Sequence, residues 1–289
     1  MAELSILIVN WNTRDLLRAC LASLRQHPYA DDCIIVVDNA STDGSADMVR
    51  KEFPEAVLIE PGANTGYARG NNLAFAAADS PYLLTLNPDT QVFEGTLALA
   101  VAALKGRPSH GYLGAKLISP DGSTQASVRG FPTFLGLLGD WTGLGARMAG
   151  PLDSYRLTRF DYDAPQAAPQ PMGTFLLFRR EALEAVGSPN APFDEAFPIF
   201  FNEVDLLKRL DEAGWPGWYD PDVRVLHHHG ASTRQVRKAM IWESHRSLVR
   251  YLTKHAPHPL ANAGYRGLAL LIYLAALIRA RGVHAGFRP

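Results

Sequence analysis

Residues 82–89 read YLLTLNPD, an apolar run that ends in a polar turn. The run Tyr82–Leu86 predicts a buried strand, which Pro88 ends because proline cannot donate a hydrogen bond to a β ladder. Ligands of α/β proteins bind beyond the carboxyl ends of such strands. The oxygen atoms of Asn87 and Asp89 suit Mg²⁺ or Mn²⁺ better than zinc. Taken alone, however, the tripeptide is more typical of an ordinary turn.

Three further apolar runs end in polar turns in the same way. They cover residues 4–9, 33–37 and 56–60, and helical patterns follow at residues 14–26, 46–53 and 67–78. Continuous apolar strands that alternate with helices predict a parallel sheet covered on both faces. The carboxyl ends of parallel strands meet at one edge, so we expect the polar strand-end residues to gather there. These residues are Asn10, Asp38, Asn64 and Asp89.

The polar turns, taken in order, resemble the motifs of the family 2 glycosyltransferases, and most closely those of their rhamnosyltransferase-like branch. The segments are VNWN at 9–12, DNASTDGS at 38–45, NTGYARGNN at 64–72, LNPD at 86–89, FFNEVDL at 200–206 and HHHGASTR at 227–234. The match runs in the right order from about Leu4 to about His255. The resemblance implies an α/β fold of the GT-A type, Rossmann-like, with a mostly parallel central sheet, helices on both faces and C-terminal helices.

The resemblance also implies a nucleotide-sugar donor, with dTDP-L-rhamnose as the first choice and a UDP-sugar as the alternative. Asp38 would hydrogen-bond the pyrimidine ring. Asp89, with Asn87 nearby, would hold a Mg²⁺ or Mn²⁺ ion that neutralises the diphosphate. The remaining donor-binding residues implied by the resemblance are Asn10, Asn12, Asn64, Gly66, Arg69 and Arg234.

A second candidate cluster is Asn202-Glu203-Val204-Asp205, at the start of a segment whose apolar positions recur at helical spacing. Acidic residues in a first helical turn ordinarily serve as dipole partners or caps. The apolar residues at 197–201 would, however, raise the proton affinity of a nearby carboxylate. Members of the resembled family often carry Glu-Asp here, and the second acid is the catalytic base. Glu203 occupies that position, and Asp205 is the alternative base.

A third cluster is the histidine triplet that begins at His227, after a predicted strand at residues 223–226. Alternation along a strand places His227 and His229 on one face. Histidines at strand ends are often only hydrogen-bonded, although a triplet is also a candidate metal site. The resemblance favours His227 as a metal ligand or diphosphate contact, and His229 stays open. Arg234 can meet phosphate oxygens in a forked geometry or be an ordinary exposed charge.

The domain organisation follows from a change of pattern at residue 106. We predict one glycosyltransferase domain over 1–255, with a nucleotide-sugar-binding half at 1–105 and an acceptor and catalytic half at 106–255. Residues 131–171 are rich in glycine, proline and aromatic residues without a period, and a stretch of this length is usually functional or mobile. In the resembled family this region shapes the acceptor side.

The C-terminal segment, residues 256–289, is predicted to form an amphipathic helix. Its apolar run at 268–278 is shorter than the roughly 20 residues that a membrane span needs. The run is flanked by arginines, which suits a helix lying at a membrane surface through residues 264–281. The alternative is a helix packed against the domain or against another subunit of a homo-oligomer. The flanking residues are Arg266, Arg279 and Arg281.

Composition excludes several classes of protein. The chain has 289 residues and a net charge of −1, with scattered charges, which argues against a nucleic-acid partner. Its two cysteines, Cys20 and Cys33, form no Cys-x-x-Cys motif, which argues against a disulfide framework or a cysteine zinc site. No Gly-x-Gly-x-x-Gly follows the first strand, so a dinucleotide site is not expected. Without a secretory signal at its start, the protein is expected in the cytoplasm, at the inner face of the cell membrane.

The sequence therefore predicts an inverting glycosyltransferase that moves a sugar to a hydroxyl of a saccharide or lipid-linked acceptor in cell-surface polysaccharide synthesis. One alternative is a sugar nucleotidyltransferase, but its Gly-rich basic loop is replaced by Asn10-Trp11-Asn12. Another is a nucleotide-sugar-binding protein without catalysis. Asn202, which replaces the first acid of the family motif, supports this second alternative, whereas Glu203 and Asp89 argue against it.

Overall fold

A nine-stranded mixed sheet forms the centre of the protein in a computed structural model, which describes residues 2–148, 150–228 and 237–282. The strands are β1 (Leu4–Asn10), β2 (Asp32–Asp38), β3 (Val57–Ile59), β4 (Tyr82–Leu86), β5 (Thr90–Val92), β6 (Tyr112–Ile118), β7 (Val128–Arg129), β8 (Gln166–Ala167), β9 (Gln170–Pro171), β10 (Phe175–Arg179) and β11 (Gly217–His227). The helices are α1 (Arg14–Gln26), α2 (Ser45–Glu52), α3 (Tyr67–Ala76), α4 (Thr96–Lys105), α5 (Phe134–Thr142), α6 (Arg180–Ala185), α7 (Asn202–Glu212), α8 (Arg237–Lys254) and α9 (Pro259–Ala280).

The sheet order is β3-β2-β1-β4-β10-β6-β11-β5, with β8 paired to β11, while β7 and β9 form a separate ribbon. Strands β1 to β4 run parallel, and β6 and β11 share their direction. Strands β5, β8 and β10 run the opposite way. Within the described residues, six strands therefore oppose three, which confirms the mostly parallel sheet expected from the sequence.

Helices cover both faces of this sheet, as predicted. Ile6 and Ile8 of β1 pack in one buried cluster with residues of α1, α2 and α4. Leu7 and Val9 lie in another cluster with residues of α3, α6 and α7. Successive side chains of a strand point to opposite faces, so a strand buried on both faces must be apolar throughout. This requirement explains why the predicted strands read as continuous apolar runs.

Strand β10 begins inside an apolar run of the sequence. The apolar run at 172–178 forms strand only from Phe175, because residues 172–174 leave the ladder and connect β9 to the sheet. Gly114 of β6 permits the close approach of β9, since a Cβ at this position would lie 2.3 Å from the Cβ of Pro171. The packing of β9 against β6 therefore fixes the position of residues 172–174.

Region 131–171 contains one helix, α5, that the sequence did not predict. The Thr133 hydroxyl caps it by accepting a hydrogen bond from the amide of Gly136 at 3.1 Å. Its inward residue Leu137 packs in a cluster with Val204 of α7 and Ile272 of α9. The C-terminal cluster consists of the buried residues Leu137, Phe197, Val204, Tyr251, Leu252 and Ile272. It ties α5, α7, α8 and α9 together.

Helices α8 and α9 form an antiparallel pair. Trp242 stacks on Tyr273, with ring centroids 6.3 Å apart, and the Asn262 side chain donates to the carbonyl of Thr253 at 2.8 Å. Helix α9 has 22 residues and is long and apolar enough to cross a membrane by length and composition alone. The expectation that the segment is too short was therefore wrong, because the small residues before the run at 268–278 extend the helix. One such helix is weak evidence for a span.

Candidate active site

Asn10 and Asp38 lie side by side at the carboxyl ends of β1 and β2, because the parallel register pairs them directly. The Asn10 side-chain amide donates to Asp38 Oδ1 at 2.8 Å, and both residues are buried. Asp38 Oδ2 accepts a bond from the amide of Ser41 at 3.0 Å, and Asn10 Oδ1 accepts one from the Thr13 hydroxyl at 2.6 Å. A carboxylate has about four acceptor sites, so Asp38 is held in place with capacity left for a ligand.

Asn12 connects the first two turns. Its φ of 51° lies in the left-handed region, which asparagine tolerates better than most residues. Its Oδ1 accepts a hydrogen bond from the backbone amide of Thr42 at 2.8 Å, and its backbone amide donates to the Ser41 hydroxyl at 2.9 Å. The turns after β1 and β2 are thus bonded into one wall of the site.

Asn39 holds the loop that contains Asn64 and Gly66. Its Oδ1 accepts a bond from the amide of Thr65 at 2.9 Å, and its side-chain nitrogen donates to the carbonyl of Gly66 at 3.0 Å. Asn64 Oδ1 accepts from the amide of Gly66 at 3.1 Å. Arg69 lies on α3 with its side chain exposed. Asn39 was not singled out from the sequence, although its place next to Asp38 at a buried strand end was the available signal.

Asp89 and His227 come together because β5 and β11 pair antiparallel, with Thr90 opposite His227. His227 Nε2 lies 3.5 Å from Asp89 Oδ1, and both side chains are almost fully buried. His227 Nδ1 lies 2.8 Å from Gln125 Oε1, and the nitrogen of the same amide donates to the carbonyl of His227 at 3.0 Å. The amide oxygen of Gln125 therefore accepts the Nδ1 proton, and Nε2 is the ring nitrogen that faces the carboxylate.

A metal-binding histidine likewise has its second ring nitrogen held by a neighbouring group. Among the described residues no group of three or more His, Cys, Asp or Glu side chains is arranged to hold a metal ion. A cation at Asp89 and His227 would accordingly need further ligands from a bound molecule. His229 and Arg234, the other predicted contacts, lie outside the described residues. The His228 ring lies 3.2 Å from the side-chain nitrogen of Gln91 instead.

Tyr67 links Asn87 to the other half of the protein. Its hydroxyl donates to Asn87 Oδ1 at 3.1 Å and lies 3.4 Å from the carbonyl oxygen of Gly173. Burial raises the pKa of Tyr67, and the negative charges of Glu203 and Asp89 raise it further. Tyr67 is therefore within electrostatic reach of both carboxylates. Tyr67 was not predicted as a site residue, because its contacts join segments that are distant in the chain.

Glu203 lies in the first turn of α7, against the residues that precede β10. A Cβ on Gly173 would lie 3.3 Å from Glu203 Cγ, so a larger residue at 173 would displace the glutamate. Burial raises the pKa of Glu203 to about 7, as expected from the apolar residues before it, while its side chain keeps partial contact with solvent. The preceding Asn202 is buried and donates to the carbonyl of Ile199 at 2.7 Å, which holds the turn before α7.

Asp205 has a different environment. Its buried carboxylate is contacted by Arg209 Nε at 3.0 Å, Lys254 Nζ at 2.7 Å and His255 Nε2 at 2.8 Å. Burial alone would raise the pKa of Asp205, but the hydrogen bonds from His255 and Lys254 outweigh burial and lower it. An ionised carboxylate held by three cationic or donor groups is a poor proton acceptor. The geometry therefore favours Glu203 over Asp205 as a base and gives Asp205 the task of joining α7 to the end of α8.

Comparison with known proteins identifies the family. The sequence profile of Glycosyl transferase family 2 matches residues 5–187. The chain belongs to this family. It is 30% identical to the N-acetylglucosaminyl-diphospho-decaprenol L-rhamnosyltransferase of Mycobacterium tuberculosis, over 86% of this chain and 83% of that protein. It is 27% identical to the O-antigen biosynthesis protein RfbC of Myxococcus xanthus, over 84% of this chain but 19% of that protein.

Solved structures agree on the fold. The mannosyltransferase PcManGT from Pyrobaculum calidifontis, solved in complex with GDP-Man and Mn²⁺, matches with a TM-score of 0.61 and 20% identity, over 100% of this chain and 77% of that one. Residues 1–349 of S. aureus TarS match with a TM-score of 0.57 and 14% identity, over 96% and 72%. The glycosyltransferase therefore has the GT-A-type fold that its motifs predicted.

The Asp205 network predicts a specific loss of stability. We expect Asp205→Asn to lower the free energy of unfolding by about 2–3 kcal/mol at pH 7, since it removes a fully buried carboxylate from its contacts with Arg209, Lys254 and His255. Because the folded-state pKa of Asp205 is lowered, this contribution exists above the unfolded pKa of about 4 and disappears as the pH falls below it. Urea unfolding at pH 7 and near pH 3 measures both effects.

The control is Asp194→Asn, which removes a partly exposed carboxylate that contacts the same Lys254 at 2.7 Å. An exposed pair of this kind contributes up to about 1 kcal/mol. Equal losses for the two variants would contradict a special role for the buried carboxylate.

Proposed function

We propose that the protein is an inverting, metal-dependent glycosyltransferase that moves L-rhamnose from dTDP-L-rhamnose to a hydroxyl of a lipid-linked saccharide in cell-surface polysaccharide synthesis. The observation that carries the proposal is Glu203, a carboxylate with a pKa raised to about 7, connected through Gly173 and Tyr67 to the strand ends that hold Asp89. The sugar and the lipid-linked acceptor are supported by the mycobacterial relative, whose name gives both.

The donor binds to the half formed by residues 1–105. Asp38, fixed by Asn10 and Ser41, accepts a hydrogen bond from the pyrimidine ring. The wall made by Asn12 and the loop from Asn64 to Gly66 line the nucleotide. Arg69, which is exposed on α3, and Arg234 would contact the phosphates. The half formed by residues 106–255 supplies the base and the acceptor side.

Asp89 and His227 would hold a divalent cation, and Asn87 lies beside them. Asp89 Oδ1 and His227 Nε2 face each other at 3.5 Å, and Gln125 holds the other ring nitrogen. Nitrogen and oxygen ligands together suit Mn²⁺, and carboxylate oxygen also suits Mg²⁺. A bound cation supplies positive charge against the diphosphate, which gains negative charge as the sugar leaves. The PcManGT structure contains Mn²⁺ together with a nucleotide-sugar.

Glu203 accepts the proton of the acceptor hydroxyl. As the O–H bond breaks, the oxygen forms a bond to the anomeric carbon from the face opposite the diphosphate. The bond between the anomeric carbon and the phosphate oxygen breaks, and its electron pair leaves with the nucleoside diphosphate. One displacement inverts the configuration. A pKa near 7 suits this task, because a base is most effective when its pKa lies near the working pH.

A nucleotide-sugar-binding protein without catalysis is the second candidate. The observation that favours it is Asn202, an amide in place of the first acid of the motif. Asn202 is buried and bonded to the carbonyl of Ile199, so it stabilises the turn before α7 without touching the predicted base. A sugar nucleotidyltransferase is not proposed, because the chain belongs to Glycosyl transferase family 2.

The base assignment predicts that Glu203→Gln lowers kcat by about a hundredfold to ten-thousandfold and leaves donor affinity nearly unchanged. A base acts only when the proton moves, so its loss affects turnover rather than binding. In the unmodified enzyme kcat should rise with pH through about 7, the pKa of Glu203, and level off above it. Calorimetry with the donor and a transfer assay over pH 5–9 measure both quantities.

The control is Glu212→Gln, a change of the same kind at an exposed position of the same helix.

A raised folded-state pKa of Glu203 also means that the unmodified protein loses stability relative to Glu203→Gln as the pH rises from about 4.5 to about 7. Glu203→Gln with most of its turnover intact would refute the assignment. If the unmodified protein binds donor but transfers to no acceptor, the binding-protein alternative is correct.

The metal assignment predicts that donor affinity depends on Mn²⁺ or Mg²⁺ and that Asp89→Ala removes this dependence. His227→Ala should weaken it, whereas His228→Ala, which changes the neighbouring ring bonded to Gln91, should not. Calorimetric titration of the donor with and without the cation distinguishes these variants. Metal-dependent affinity that survives in Asp89→Ala would place the cation elsewhere.

A further inference from the structure

Helix α9 exposes an apolar face that nothing in the described chain covers. Its buried side, formed by Ile272, Ala276 and Ala280, repeats every four residues, and Ile272 packs with Tyr251 and Leu252 of α8. The opposite side is a row of exposed apolar residues, of which Leu270 and Leu274 are 76% and 51% exposed. A helix that is apolar on all sides is normally buried. The other members of the row are Leu260, Leu271, Leu277 and Ile278.

Helix α5 carries a second exposed apolar row. Phe134, Leu138 and Trp141 follow helical spacing and are all exposed, as is Leu135 at 47%. The row continues past the helix with the exposed residues Leu144 and Met148. The inner faces of α5 and α9 meet in the C-terminal cluster, which also contains Val204, next to Glu203. The two apolar rows therefore belong to neighbouring elements beside the catalytic helix.

Charge identifies the partner. Residues 244–289 contain seven Lys or Arg and no Asp or Glu, although the whole chain has a net charge of −1. Within α9 the charged residues are Arg266 and Arg279, and Arg281 follows directly; all three are exposed. Apolar side chains flanked by basic residues fit a bilayer with anionic headgroups, since each basic residue near such a surface adds attraction. A protein partner would need acidic residues to pair with these arginines. A second copy of this segment cannot supply them, since residues 244–289 contain no Asp or Glu.

The structure also distinguishes lying on the membrane from crossing it. Helix α9 is joined to α8 at both ends, by the Asn262 bond to Thr253 and by the Trp242 indole, which donates to the carbonyl of Gly282 at 2.8 Å. Helix α8 has buried polar groups, among them Glu243. A spanning α9 would pull these groups into hydrocarbon, where unsatisfied polar groups are costly.

We propose that α5 and α9 together form a monotopic docking surface for an anionic bilayer, in which α9 lies in the plane of the interface. The surface faces outward beside Glu203, so a lipid-linked acceptor reaches the base without leaving the membrane. The delivery of a lipid-linked acceptor to Glu203 rests on the proposed function, whereas docking to the bilayer does not. Trp141, on α5, has the amphipathic ring that is enriched at membrane interfaces.

The test is cosedimentation of the full chain with vesicles of phosphatidylcholine containing about 30% phosphatidylglycerol, in which the anionic lipid supplies the surface potential. We expect Leu270→Gln/Leu274→Gln and Leu135→Gln each to lower the partition coefficient at least threefold, and all three changes together at least tenfold. The control Leu99→Gln, at a residue of α4 that is equally exposed at 47%, should bind like the unmodified protein. Glutamine leaves the net charge unchanged, so these variants measure apolar insertion alone.

Three results would overturn the proposal. The unmodified protein could fail to bind vesicles, or Leu135→Gln could bind as tightly as the control, which would remove α5 from the surface. The third is sedimentation of the lipid-free protein as a dimer that the same substitutions dissociate, which would make the rows a protein interface. Vesicle binding needs neither donor nor acceptor, so docking without sugar transfer would leave this inference intact while refuting the proposed function.

Discussion

The parallel register of β1, β2 and β4 is the constraint on which the rest of the site depends. It places Asn10 against Asp38 at one edge of the sheet, where the chain must turn and where polar groups need partners. The partners are the neighbouring turns themselves, through bonds such as that from Ser41 to Asp38. Because each turn satisfies the next, the edge is rigid before any ligand arrives, and a preorganised polar site loses little free energy to reorganisation.

Two antiparallel strands, β5 and β10, bring further residues to this edge of the sheet. Pairing of β5 with β11 carries Asp89 to within 3.5 Å of His227, although 137 residues separate them along the chain. Insertion of β10 between β4 and β6 brings Gly173 beside Asn87 and under Glu203. The proposed donor side and the proposed acceptor side thus meet at one sheet edge. Tyr67, bonded to Asn87 and close to Gly173, lies where they meet.

The strand ends were predictable because they depend only on local pattern. An apolar run must stop at a polar turn, and parallel strands must stop at the same edge, which was enough to predict that Asn10 and Asp38 lie side by side. Asn39 and Gln125 were missed because their roles are hydrogen bonds to segments that pattern cannot align. The length of α9 was misjudged for a different reason. Alanine and glycine before the apolar run added little hydrophobic signal, yet they continue the helix.

The opposite pKa shifts of Glu203 and Asp205 could not be predicted from the sequence either. Both are acids in one helical turn, and only their surroundings separate them. Glu203 lies against apolar residues and a glycine, so burial raises its pKa to about 7. Asp205 faces Lys254 and His255 from the end of α8, and its pKa is lowered. The α8 and α9 pair therefore supports α7 electrostatically as well as through the C-terminal cluster.

The most direct test of this account is a crystal structure with Mn²⁺ and a pyrimidine nucleoside diphosphate, analysed by anomalous scattering from the metal. We expect one manganese peak coordinated by Asp89 and His227 Nε2, with phosphate oxygens completing its shell and the pyrimidine ring hydrogen-bonded to Asp38. A metal peak away from this pair, or a pyrimidine ring out of reach of Asp38, would contradict the claim that the sheet edge is the donor site.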